Sequence, residues 1–255
     1  MIAPSISNKS RLMEISAVIL TAIGKFIFMD YLNWRFPFVA AAITSWVCYI
    51  IYRKIQQPGI TKYWGFRTDN FKTVLKKVLP FGLMAVVTFF AVGFYKSNLN
   101  ITWHIIPILI LYPIWGTIQQ FLLIALTAGN LQDMKSQKLN KGIIIFLSAL
   151  LFGAIHYPFV WLMIATFILA IFYGWIYLRE RNIYVLGLFH GWLGGIFYYT
   201  ILERDPFLEM FGKLFPSFFI NIEAIQAIFL TLIINPTLRK ISITNYRTVP
   251  ILFIN

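Results

Sequence analysis

The chain has 255 residues; 59% of them are hydrophobic, only 12% are charged, and the formal net charge is +13. Soluble domains carry about 25% charged residues, so a water-exposed globular fold is excluded. The apolar residues come in long blocks that are apolar all round, without the alternating polarity of a membrane barrel, which leaves an all-α polytopic transmembrane bundle.

A helix needs about 20 apolar residues to cross the hydrocarbon core. On that measure the sequence predicts about eight spans, at 14–33, 36–52, 78–95, 105–128, 143–158, 159–178, 183–202 and 218–235. The first follows Lys9 and Arg11, like the front of a signal peptide, but no small-x-small cleavage pattern comes after it, so it reads as a retained span. It carries Lys25 and Asp30, which suit a mutual pair or snorkelling to the interface. The second holds the one cysteine, Cys48, read as a buried thiol; a single cysteine excludes a disulfide within the chain.

The basic loop 53–77 turns at Pro58-Gly59, and Thr68, Asp69 and Asn70 are candidate helix caps. After them Phe71, Val74, Leu75 and Val78 share one helical face while Lys72, Lys76 and Lys77 lie elsewhere. That pattern suits either a helix lying on an anionic membrane surface or a basic connector. No internal repeat or low-complexity tract is visible, so 1–255 is expected to be a single transmembrane domain.

Lys and Arg are distributed unevenly between the predicted loops. The N-terminus, the loops after spans two, four and six, and the tail carry 17 of them; the opposite set carries four, Arg35, Lys96, Arg204 and Lys213. The positive-inside rule then places both ends in the cytoplasm and demands an even number of spans. It also accounts for the net charge without nucleic acid, and the lipid bilayer is the expected partner.

Polar groups at membrane depth are costly and mark candidate sites. Span four carries Gln119-Gln120; from the residues alone these read as interhelical hydrogen bonds, worth about 1 kcal/mol each. Span five ends on His156, read as a satisfied histidine beside the Tyr157-Pro158 break. Span seven carries His190 among Gly187, Gly191 and Gly195, whose four-residue spacing makes a face for close helix approach. Span eight carries Asn221, Glu223 and Gln226, the glutamate being the clearest carboxylate at depth. Walker loops, HExxH, GxSxG and paired cysteines are absent from the sequence. Two histidines without a carboxylate or thiol make a poor closed zinc site, so neither metal nor cofactor is expected.

Taken together, Gln119, His156 and His190 resemble the CPBP (CAAX-protease and bacteriocin-processing, or Abi) family of intramembrane proteases. Gln119-Gln120 with Ile124 stands where that family has EExxxR, Phe152 to His156 matches FxxxH, and His190 to Gly194 stands where HxxxN belongs. The run Tyr173-Gly174-Trp175-Ile176-Tyr177-Leu178-Arg179 and the stretch Asn182-Ile183-Tyr184 also look like the family's approach to its last histidine. The resemblance covers about 78–202. It implies a first glutamate that activates water with a histidine, a second glutamate held by the arginine, and an oxyanion stabilised by the other histidine and the asparagine. Substrates would be membrane-associated peptides, such as prenylated tails or leader peptides.

Here both glutamates are glutamine, the arginine is Ile124 and the asparagine is Gly194. A glutamine cannot take a proton from water at neutral pH. Acids and arginine are lost together, so no unpaired buried charge is left behind. The foremost expectation is a CPBP-like membrane protein without the glutamate mechanism, binding a membrane-associated peptide or a partner membrane protein in the plasma membrane of a bacterium. The alternatives are an intramembrane endopeptidase with a histidine base, and a transporter or channel subunit. The candidate catalytic positions are His156, His190, Gln119 and Gln120, with Phe152 and Gly194 as binding positions.

Overall fold

The computed structural model describes residues 6–134 and 139–212, and every regular element among them is a helix. The chain divides into two compact units, Met1–Phe207 and Leu208–Asn255. α1 (Asn8–Gly24) is capped by the Ser7 hydroxyl, which accepts from Ser10 N at 3.1 Å, and runs on into a π-helical stretch, Lys25–Tyr31. α2 (Arg35–Gln56) and α4 (Phe71–Tyr95) flank the short α3 (Ile60–Trp64). α5 (Ile105–Gln120) continues through a second π-helical stretch, Phe121–Gly129, into α6 (Asn130–Asp133). α7 (Lys141–Ala154), α8 (Val160–Glu180), α9 (Ile183–Thr200) and α10 (Pro206–Phe211) complete the described helices.

Five of these rods are long and apolar enough to cross a membrane: 8–31, 35–56, 71–95, 105–133 and 160–180. α7 is apolar but only 14 residues long. α9 has 18 residues and is diluted by its glycines, tyrosines and His190. The predicted span 218–235, with Asn221, Glu223 and Gln226, lies outside the described residues, as does the tail after it.

Helix ends within Met1–Phe207 sort onto two faces. On one, the basic-loop face, Arg11 of α1 meets Asn130 of α6 and Tyr63 of α3, and Arg181 after α8 meets Asp133. On the opposite face, the stretch after α1 reaches the α7–α8 turn, and the loop before α5 is bonded to the end of α9.

Two expectations are corrected here. The segment 71–78 does not lie flat as a separate surface helix; it is the first two turns of α4. Val74 and Val78 are wholly buried against the protein core, and only the lysine side faces outward. Asn70 takes the N-cap position, but its side chain caps nothing; it donates to Glu180 O at 2.7 Å and accepts from Asn182 Nδ2 at 2.7 Å, joining α4 to the α8–α9 junction. Cys48 is exposed rather than buried, because α2 buries only Ala42 and Trp46 and leaves the rest of its surface open.

α5 and α9 form the central pair, and their glycines explain how. A methyl group added at Gly116 would fall 2.6 Å from Gly187 O, and one at Gly195 would fall 2.8 Å from Ile108 Cγ2. The backbones therefore approach as the four-residue glycine spacing predicts. Pro113 has no N–H, so the carbonyl of Leu109, one turn earlier, lacks its helical donor. The Trp192 indole N–H, from α9, donates to that carbonyl at 2.9 Å, so the same crossing repairs the break.

Candidate functional site

Gln119 lies one residue before the end of α5 at Gln120, and the helix widens to π-helical geometry directly after it. Such widening is frequent at functional sites. The Gln119 amide oxygen accepts from His190 Nε2–H across the α5–α9 crossing at 2.9 Å. A neutral imidazole that donates through Nε2 keeps its lone pair on Nδ1. That Nδ1 is buried and has no hydrogen-bond partner among the described residues. Gln120 is fully buried, and neither its amide nitrogen nor its amide oxygen has a partner there either.

His156 lies two residues past the end of α7, in the turn that leads to α8, and is half-buried. Its Nδ1–H donates to Phe152 O at 2.8 Å, which leaves Nε2 as the lone-pair nitrogen. Phe152 is wholly buried, and its ring centre lies 5.5 Å from that of His156 and 5.2 Å from that of His190. The two imidazole centres can therefore be no farther apart than the sum of those distances, inside the ~12 Å that leaves room for direct or water-bridged contact. α7 has only 14 residues and ends at Ala154, two residues before His156.

Gly194 is one turn beyond His190 on the same face of α9. A methyl group added there would meet nothing within 4 Å. Ile124, in the arginine position, is wholly buried within the π-helical stretch. The structure thus brings Gln119, Phe152, His156 and His190 together, sets Gln120 in the core next to them, and leaves open space at Gly194. Among the described residues no group of three or more His, Cys, Asp or Glu could hold a metal ion.

On the basic-loop face, aromatic rings close over this region. The Phe121 ring, next to Gln120, meets Trp64 at 5.1 Å, Phe66 at 5.3 Å and Trp46 at 6.1 Å. The segment 57–70 that carries Trp64 and Phe66 is docked through its backbone. Tyr177 OH donates to Trp64 O at 2.9 Å, Ile183 N to Gly65 O at 2.8 Å, and Asn182 Nδ2 to Arg67 O at 3.0 Å. Gly65 has a left-handed φ of 99°, and a methyl group there would also strike the Arg181 carbonyl, so only glycine fits.

Two polar clusters escaped the sequence reading. Beneath the docked segment, Glu14 accepts from Tyr49 OH at 2.6 Å, Arg53 at 2.9 Å and Asn130 Nδ2 at 2.7 Å. Arg11 donates to Asn130 and to Tyr63 OH, each at 3.1 Å, and Tyr63 OH bonds Asp133. Arg11 and Glu14 are each only 4% exposed, so Arg11 is no mere topology charge. The spacing Arg11-x-x-Glu14, two opposite charges on one face of an apolar helix, was the available signal. At the opposite face, Asp205 accepts from Thr102 OH at 2.9 Å, Tyr199 OH at 3.0 Å and Phe207 N at 3.0 Å, and His104 Nδ1 lies 2.6 Å from it.

Residues 102–195 match the family model of the type II CAAX prenyl endopeptidases, Rce1-like. That stretch contains Gln119, Gln120, Phe152, His156, His190 and Gly194, so the resemblance read from the motifs is shown over the segment that carries the site. Over that stretch the chain is similar to the type II CAAX prenyl endopeptidases, and five of its helices are long and apolar enough to cross a membrane. No curated protein and no solved structure matches it.

Proposed function

We propose that this protein binds a membrane-associated peptide or a partner membrane protein at the Gln119–His190 crossing without glutamate-dependent peptidase chemistry. The observation that carries this is the state of the two glutamines. Gln119 is engaged by His190, and Gln120 is enclosed with both amide atoms unpartnered. A carboxylate at 119 could accept a proton from water; an amide cannot. An amide can, however, donate and accept at once, which suits a neutral polar ligand such as a peptide group. The charge asymmetry supports a cytoplasmic basic-loop face, with both chain ends on that side, in the plasma membrane of a bacterium.

A second reading is favoured by one observation, the unpartnered Nδ1 of His190. A histidine whose other nitrogen is held by an amide oxygen can serve as a general base. In that case the protein is an endopeptidase with a changed mechanism. The test is a cleavage and binding assay on the purified protein with prenylated and leader-type peptides. Wild type is compared with His156→Ala, His190→Ala, Gln119→Glu and Glu223→Gln. Peptide binding without turnover, lost in His190→Ala, is the expected result. Turnover in wild type that dies with either histidine but survives Glu223→Gln overturns it in favour of the second reading. Turnover that dies with Glu223→Gln assigns the chemistry to that carboxylate instead.

A further inference from the structure

On the basic-loop face most of the described arginines are fastened to an acid. Arg11 and Arg181 reach Asp133, Arg53 reaches Glu14, and Arg67 reaches Asp69. Arg179 differs. It is exposed in the last turn of α8 and pairs with no carboxylate among the described residues. Its guanidinium lies instead 4.1 Å from the centre of the Trp175 ring, one turn back along the helix. On α4, Lys76 is also exposed and has no bonded partner among the described residues.

The two cations are neighbours. Lys77 of α4 bonds Glu180 of α8, and Lys76 and Arg179 are the residues directly before the two members of that pair. Deeper in the bundle, Phe81 of α4 and Phe172 of α8 stack with ring centres 4.2 Å apart. These contacts hold α4 and α8 side by side. An exposed apolar stripe runs from each cation. On α4, Leu83, Val87 and Phe94 follow Lys76 at steps of seven, four and seven residues, which keeps them on one face. On α8, Trp175, Ile171 and Ile168 precede Arg179 at steps of four, four and three residues, again on one face.

The charge rule asks only for cations on this side of the membrane. It does not ask for a guanidinium laid back onto a ring that belongs to an exposed apolar stripe. Tryptophan marks the headgroup level of a bilayer, so the ring holds the guanidinium at the height of the phosphates. There its planar fork matches two phosphate oxygens. Two cations above apolar stripes repeat the anatomy of an anionic phospholipid, with phosphate above and acyl chains below. Other occupants meet like charge. A second copy of the chain would bring its own Lys76 and Arg179, and the tail after 235 carries Arg239, Lys240 and Arg247 with no acid.

We propose that Lys76 and Arg179 hold the phosphate of an anionic phospholipid whose acyl chains lie along α4 and α8. The inference does not depend on what binds at the Gln119–His190 crossing.

The test is photo-crosslinking of the full chain in phosphatidylcholine vesicles, which needs no activity. A trace of phosphatidylglycerol with a diazirine in one acyl chain is added, and the crosslinked residues are mapped by mass spectrometry. We expect crosslinks on the 83–94 and 168–175 stripes. Lys76→Gln and Arg179→Gln should each cut them about fivefold, the effect of one basic residue near an anionic surface. Lys54→Gln, at the exposed end of α2, should leave them unchanged. Lys76→Arg and Arg179→Lys keep the charges and should keep most of the yield, which separates lost charge from a disturbed fold. A phosphatidylcholine probe with the same chains should label these stripes weakly and equally in all variants. Equal labelling by the two probes would mean ordinary surrounding lipid and overturns the proposal. So does a phosphatidylglycerol yield indifferent to both glutamine variants, or one lost as fully in the charge-conserving variants. Excess inorganic phosphate should not compete beyond chloride at the same ionic strength; displacement by it assigns the two cations to a free anion and overturns the lipid.

Discussion

The polar cluster around Glu14 and the polar cluster around His190 are built from similar materials and finished differently. Glu14 takes bonds from Tyr49, Arg53 and Asn130, and Arg11 is tied to Asn130 and Tyr63. At the other cluster Gln119 and His190 satisfy each other through one bond, while Gln120 and His190 Nδ1 are buried without a partner among the described residues. An unmade hydrogen bond in a low-dielectric interior costs about 1–3 kcal/mol. A fold therefore keeps such groups only where something offsets the cost. The first cluster is a fastening between α1, α2, α3 and α6; the second carries the unpartnered polar atoms on which the proposed binding role rests.

The contrast is broken most directly at Glu14. Glu14→Ala leaves Arg53 and Asn130 facing a hole, and stranding one member of a buried ion pair costs about 3–5 kcal/mol. Thermal unfolding of the purified protein in detergent should show a large loss of midpoint, whereas Lys54→Ala at the exposed end of α2 should stay within about 0.5 kcal/mol of wild type. A Glu14→Ala protein as stable as the Lys54→Ala control would mean that the network is not a fastening.

Substitutions at the two glutamines sharpen the comparison. Gln119→Leu removes the acceptor of His190 Nε2–H and should cost about 1–3 kcal/mol. Gln120→Leu removes two unpartnered polar atoms from the core and should be neutral or stabilising by up to about 1 kcal/mol. Neighbouring residues of the same type are thus expected to respond with opposite sign. A Gln120→Leu variant that loses as much as Gln119→Leu would show that Gln120 has a bonding partner in the resting protein, and its case as a ligand group would weaken.

The glycines of α9 give a similar pair at smaller amplitude. Gly191→Ala forces a methyl group into the backbone of α5 at Tyr112 and Pro113, and overpacking of this kind costs about 1–3 kcal/mol. Gly194→Ala meets open space and should gain up to about 1 kcal/mol from better helix propensity. Peptide binding separates them further: it should survive Gly191→Ala in whatever fraction folds, and fall in Gly194→Ala if the ligand uses that space.

The sequence announced the helices, the glycine face and the FxxxH and His190 motifs because each is written in local spacing. Gly116 against Gly187 and Gly191 follows from small residues four apart, and the Phe152–His156 bond follows from one helical turn. What stayed hidden joins distant residues. Nothing local in Lys76 or Arg179 says that the two will flank one ion pair between α4 and α8, and Arg11 looked like any other basic residue before a first span. The π-helical stretch Phe121–Gly129 was invisible because a wider helix keeps the same apolar composition as an α-helix. The segment 71–78 was misjudged for a related reason. An amphipathic face shows that something apolar will cover it, but not whether that is lipid or the rest of the protein.

The smallest expected effect concerns the docked segment 57–70 and pH. The Tyr63 phenol is held above its ordinary pKa, first by burial and then by its hydrogen bond to Asp133, against a smaller opposing pull from Arg181. A phenol whose folded pKa is raised contributes stability that is fully present below the ordinary value of about 10 and is lost as pH rises through the higher folded one. Ionised, Tyr63 could no longer donate to Asp133 and would set a second negative charge beside that carboxylate. The segment should therefore loosen in alkali while the apolar spans stay intact. Hydrogen exchange of the 57–70 amides, measured as the ratio of wild type to Tyr63→Phe at each pH, cancels the intrinsic dependence of exchange on hydroxide. The ratio should be low at neutral pH, where the wild-type phenol fastens the segment and the phenylalanine does not, and should climb toward or past one above about pH 10. A ratio that stays flat across that range would mean that Tyr63 does not hold the segment down, and that the seal over Gln120 on the basic-loop face depends on the Trp64, Phe66 and Phe121 rings and the backbone bonds alone.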